Sequence, residues 1–286
     1  MANHLGEYLR ARREGLHPAD VGLPTTPRRR VAGLRREEAA MLAGISTEYY
    51  LRLEQGRDSR PSPAVVDGLA RALQLDDEAA AYLRALANPA QDPRRKSPRR
   101  LASVSPGLVR LIDTWPTPAY IHDRLQRVVA ANPLARALSP GFQVGTNALL
   151  AFFTAPELRE LYGDGWDSTA RKSIAGLRAM IGPDVEDPAL AGLVGELSLR
   201  SADFRRLWAR QEVRTKGAGE TVLHHPVVGD LTLSYEKLAV AGGDGCVLVI
   251  YHADPGSESE VRLSLLGGSA PTFSAASPHA SRTTRG

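Results

Sequence analysis

The 286-residue sequence predicts two folded units: an all-α domain of about five helices, then an α+β domain built on an antiparallel sheet. Three observations carry this. Up to about residue 87 the apolar residues recur at helical spacing, whereas "LTLSYE" (231–236) alternates with a period of two. Between these regimes lies "NPAQDPRRKSPRRLASVS", rich in proline and arginine and without any period. Finally, 43% apolar and 24% charged residues are enough for a packed core, and the positive excess sits in the first third. Residues 1–100 carry 18 Lys+Arg against 13 Asp+Glu, and the remainder carry 18 against 19, which points to a polyanion partner for the first domain alone.

The elements follow in order. Leu5, Tyr8 and Leu9 fall at helical spacing, and "HPADVGLPTTPRRR" then breaks the chain at Pro18, Pro24 and Pro27 and ends in Arg28, Arg29 and Arg30. In "GLRREEAAMLAGISTEYYLRLEQGR" (33–57), Leu34, Ala39, Ala40 and Leu42 make a short amphipathic helix. Gly44 supplies the positive φ that lets two helices meet at a sharp angle, Ile45 fills the corner, and Ser46 caps a second helix. Tyr50 and Leu53 face inward, which turns Thr47, Glu48, Tyr49 and Arg52 outward. "PSPAVVDGLARAL" and "DDEAAAYLRALA" complete the set, the first with Ser62 as cap and the second with acids in its first turn.

Past the linker, "GLVRLIDTW" reads as a helix, "TPAYIHDRLQRVVAANP" as two strands around a tight turn, and "NPLARAL" as a helix behind Asn132. "ALLAFFTAPELRELY", "WDSTARKSIAGLRAMI" and "DPALAGLVGELSLRSADFRRLWARQ" read as helical. "EVRTK", "ETVLHHPVV", "DLTLSYEKLAV" and "CVLVIYHAD" read as strands. A small sheet with helices on one face encloses apolar space, a common place for a ligand. The expected boundaries are 1–87, a basic linker over 88–104, the second domain over 105–255, and a disordered Ser/Gly/Ala-rich tail over 256–286.

An outward-facing polar N-terminal half on a helix that follows a tight turn suits entry into a DNA major groove. Arg52 can pair with guanine O6 and N7, Glu48 can accept from cytosine N4, and Thr47 can meet a base edge or a thymine methyl. Arg36, Ser46, Tyr49 and Arg57 suit phosphates, and Arg28–Arg30 add charge at the same edge. Glu54 is expected to pair with an arginine of the first helix, among Arg10, Arg12 and Arg13.

Several chemistries find no support. The lone Cys246, in "CVLVIYH", reads as a buried thiol and permits neither an internal disulfide nor a thiolate cluster. His224 and His225 point to opposite faces of a strand, so with His252 they make a poor metal site. No phosphate-binding glycine loop and no G-x-S-x-G elbow is present, so neither an enzyme nor a cofactor is expected. The N-terminus lacks a secretory apolar region and no run reaches the ~18–20 residues that span a bilayer, so a cytoplasmic protein without a membrane partner is expected. Trp166 is a candidate pocket wall, and Arg200, Arg210 and Arg214 are candidate anchors for a ligand carboxylate.

"LRREEAAMLAGISTEYYLRLEQGR" followed by "PSPAVVDGLARALQL" resembles the helix-turn-helix of the Xre/Cro family over roughly residues 5–87. The long insertion "HPADVGLPTTPRRRVAG" departs from the short turn of compact members. "PAYIHDRLQRVVAANPLARAL", "LVGELSLRSADFRRLWARQEVRTK" and "LHHPVVGDLTLSYEKL" resemble the MmyB-like ligand-binding domains of bacterial regulators over about 105–255. That resemblance implies a PAS-like fold and a small hydrophobic, fatty-acid-like ligand. The combined expectation is a homodimeric repressor that binds a double-stranded DNA operator and answers to that ligand. The alternative is a constitutive DNA-bound scaffold whose second domain docks a protein.

Overall fold

Short polar caps start nearly every helix, and they set the frame of the first domain. The computed structural model describes residues 3–24, 31–58, 60–88, 104–182, 187–214, 217–243 and 245–268. Asn3 opens α1 (His4–Gly15): its Oδ1 accepts from Gly6 N at 3.0 Å and its Nδ2 donates to Glu54 O at 2.7 Å. Helices α2 (Arg36–Ala43), α3 (Thr47–Glu54), α4 (Pro63–Ala72) and α5 (Asp77–Ala87) complete the five expected. Ser62 and Asp76 cap α4 and α5 through bonds to Val65 N and Ala79 N. Tyr8, Leu9, Leu34, Tyr50, Leu53, Leu69 and Leu83 lie wholly out of water, each contributing about 1.5–3 kcal/mol of burial. Gly68 permits the close contact of α4 with α2, because a Cβ there would sit 2.5 Å from Ala43 O.

In the second domain β1 (Ala119–His122), β2 (Val128–Ala131), β3 (Ala218–His225), β4 (Gly229–Ala239) and β5 (Val247–His252) pair antiparallel in the order β2-β1-β5-β4-β3. The period of two holds: Leu231, Leu233 and Tyr235 are buried along β4. One face packs on α7 (Pro133–Leu138), α8 (Ala148–Thr154), α9 (Pro156–Tyr162), α10 (Trp166–Ile181), α11 (Pro188–Arg200) and α12 (Ala202–Trp208).

Four expectations are revised. α6 (Pro106–Asp113) covers the opposite face of the β1–β2–β5 end, where Ile112 meets Ile121, Ala130, Cys246 and Leu248, so the sheet has helices on both sides. "ALLAFFTAPELRELY" forms two helices because Pro156 removes a donor and restricts Ala155. Residues 212–214 of "EVRTK" form no strand. The tail expected from residue 256 instead begins with α13 (Glu258–Gly268), whose Leu263 and Leu266 are buried in the main core. The remainder of that tail from 269, and the linker over 89–103, lie outside the described residues.

The two domains touch. Ala179 of α10 and Val213 pack into the same apolar cluster as Tyr8, Tyr82 and Leu86 of the first domain. Among the described residues no helix is long and apolar enough to cross a membrane.

Candidate nucleic-acid interface

The corner between α2 and α3 is made as its sequence requires. Gly44 has φ 71°, in the left-handed region, with nothing near its missing Cβ. Its N–H donates to Met41 O at 3.1 Å, and Ile45 N closes the turn on Ala40 O at 3.0 Å. Ser46 then starts α3, its Oγ accepting from Tyr49 N at 3.1 Å. Tyr50 and Leu53 hold the inner side of α3 at zero exposure.

Glu54 fixes the orientation of that helix. Its Oε1 accepts from Arg13 Nε at 2.6 Å and its Oε2 from Arg36 Nε at 2.7 Å. The side chains of Glu54 and Arg13 are only 2% and 7% exposed, so this clamp joins α1, α2 and α3 inside the domain. Arg13 also donates to Leu34 O at 2.8 Å, which spends three of its donor contacts on structure. Tyr50 beside it has its hydroxyl pushed well above the ordinary range by burial and by the Glu54 charge.

What remains on the outside of α3 is polar. Ser46, Thr47, Glu48, Arg52 and Arg57 are exposed, and Tyr49 is half-buried with the Arg52 guanidinium 5.3 Å from its ring centre. Burial lifts the Tyr49 hydroxyl, which keeps it a neutral donor. Arg36 is 47% exposed, so it holds Glu54 with Nε and leaves part of its guanidinium to solvent. Arg28, Arg29 and Arg30 lie outside the described residues. Sequence reasoning passed over exposed Arg35 and Arg60 and over Met41, 61% exposed on α2. The signal for Met41 was an apolar residue out of step with Ala39 and Ala40.

The candidate ligand residues do not form one cluster around Trp166. Trp166 is 4% exposed in the core, stacked on Phe152 at 5.2 Å, with its Nε1 donating to Phe152 O at 3.4 Å. The Arg159 guanidinium covers it at 4.2 Å. Arg200 is exposed and pairs with Glu196 at 3.0 Å within α11, exposed Arg210 lies 3.9 Å from Glu212, and Arg214 is exposed. Two other polar groups lie deeper. Tyr120, Tyr162, Tyr235 and Tyr251 gather beneath the sheet, where burial lifts each phenol above its ordinary range. Burial pushes the Tyr162 phenol up to about 12. His225 is buried with Nε2 on Ala137 O at 3.1 Å, while exposed His224 pairs with Asp230 at 2.7 Å.

Residues 104–266 match the family described as the MmyB-like transcription regulator ligand binding domain, and residues 4–83 match a helix-turn-helix domain. No curated protein matches the chain.

Proposed function

The chain belongs to the MmyB-like transcription regulators, with a helix-turn-helix domain ahead of the ligand-binding domain, and on that premise we propose that the outer face of α3 reads an operator. Thr47, Glu48 and Arg52 address base edges, while Arg36, Ser46, Tyr49 and Arg57 address phosphates. The observation that carries this is the division of α3. Tyr50, Leu53 and Glu54 spend everything inward, and the first turns leave polar side chains exposed without a use inside the domain. Two copies of the chain bind a two-fold operator as a repressor, because one reading helix spans only a few base pairs.

The ligand is hydrophobic and fatty-acid-like, seated between the sheet and the aromatic helices. Four buried tyrosine hydroxyls in an otherwise apolar layer support it, since such sites pair apolar walls with a few polar groups. Selection of binding sites from random duplexes tests the DNA reading. A two-fold consensus with half-sites about one helical turn apart supports it, and enrichment of no sequence rejects it. Native mass spectrometry of the purified chain tests the ligand: a retained acyl chain supports it, and an empty domain unmoved by dodecanoate rejects it.

A further inference from the structure

A cleft of about 180 Å³ opens where the two domains meet. Tyr82 comes from the DNA-binding side, and Arg178, Leu190, Val194 and Trp208 come from the sensor side. Arg178 is the unusual member. It is 3% exposed, yet its acceptors are neutral, Trp208 O at 2.8 Å and Gln211 Oε1, with the Tyr82 phenol beside it. Its guanidinium lies 3.9 Å from the Trp208 ring centre. Among the described residues no carboxylate forms an ion pair with it, and its Nε has no hydrogen-bond partner. The Glu7 carboxylate on the same cleft acts on Arg178 only from beyond ion-pair distance. A buried guanidinium without a contacting anion is costly, and an orphaned buried N–H adds to that cost. Burial accordingly holds its pKa below the ordinary value. His4, on the same wall, has a second buried nitrogen, Nε2, without a partner.

We propose that this interdomain cleft binds a small aromatic monocarboxylate, its carboxylate on Arg178 and its ring against Trp208, Leu190 and Val194. The volume fits, since a cavity of about 150 Å³ holds benzene. The charge fits as well: one anion completes one buried cation, and planar guanidinium and carboxylate pair well. Glu7, 60% exposed on the α1 wall, is screened by solvent, so it opposes the single carboxylate weakly and a dicarboxylate more, and it can accept from a ring hydroxyl. The occupant touches helices of both domains, so its binding biases how the DNA-binding domain sits on the sensor. The site is separate from the tyrosine-lined core, so each can fail without the other.

Calorimetric titration of the full-length chain with benzoate tests this, with dodecanoate titrated in parallel. We expect one benzoate per chain, binding at least tenfold weaker for Arg178→Lys, and at least tenfold weaker for benzamide on the native chain. Ala191→Trp fills the cleft from its exposed rim and leaves the Arg178 side chain itself unchanged, and it should abolish benzoate binding while dodecanoate binding persists. A native chain that ignores millimolar benzoate overturns the assignment. So does benzoate binding that survives Ala191→Trp, or that benzamide matches. Loss of dodecanoate binding alone counts against the core site and leaves the cleft standing.

Discussion

Glu54 shows how much one side chain decides. Its two oxygens hold Arg13 and Arg36, and with them the angle at which α3 leaves the domain. Glu54→Gln keeps the shape and removes the charge, leaving the buried Arg13 only the half-exposed Glu14 at 3.2 Å as an anionic partner. We expect a loss of about 3–5 kcal/mol in denaturant unfolding, far beyond the ~0–1 kcal/mol of a surface pair. His122 gives a pH dependence of known sign. Burial pushes its imidazole down to about 4, so the folded chain keeps it neutral while the unfolded chain takes up a proton below about 6.5. Its contribution is therefore complete above 6.5 and is lost as pH falls toward 4, at about 1.4 kcal/mol per pH unit inside that window. Unfolding curves at several pH values should show this slope, and His122→Gln should flatten it. At this scale the sequence was partly legible. Glu54 was expected on an α1 arginine, which the contact with Arg13 bears out, whereas its hold on Arg36 was hidden because that contact depends on how α2 crosses α3. Arg178 had a readable signal that went unused: with Ile174, Leu177 and Ile181 it falls on the apolar stripe of α10, where an arginine is out of place.

Elements were legible where their punctuation is strong. Gly44, Ser46, Ser62 and Asn132 each lie where a turn or cap requires that residue type, and the helices start beside them. Gly44→Ala should cost about 1–2 kcal/mol from backbone strain alone, because the space around it is open, and Gly44→Asn should cost less. Equal losses for the two would contradict a conformational origin. Asn132 does more than cap α7. Its Oδ1 accepts from Ala135 N and Ala119 N, and its Nδ2 donates to Ile112 O and Thr117 O, at zero exposure. Asn132→Ala strands Ala119 N, Ala135 N and Thr117 O, while Ile112 O keeps Trp115 N, and we expect a loss of about 2–4 kcal/mol in thermal or denaturant unfolding, against ~1 for an ordinary cap. α13 escaped notice because its buried apolar anchors are few, Leu263 and Leu266, and it opens a stretch that is rich in Ser, Gly and Ala as a whole. The second cover of the sheet by α6 escaped notice too, since period alone does not say which face a helix takes.

At the scale of the molecule, α10 connects the two kinds of chemistry. It begins at Trp166 in the aromatic core and, at 1.5 Å per residue, reaches Arg178 at the domain junction about 18 Å away. A ligand that repacks either end can thereby shift the DNA-binding helices, and in a dimer that shift changes the separation of the two α3 helices, which the duplex fixes at about 34–36 Å. The net charge supports the same division: the excess of cations lies in residues 1–100, so affinity for any duplex should fall steeply with salt. The most direct test of the account is a pair of binding isotherms, on the selected operator and on a scrambled duplex, for the native chain and for Arg52→Ala. We expect the substitution to weaken operator binding by about 1–3 kcal/mol and to leave scrambled-duplex binding and its salt dependence nearly unchanged. Equal weakening on both duplexes, or none on either, would contradict base reading by α3.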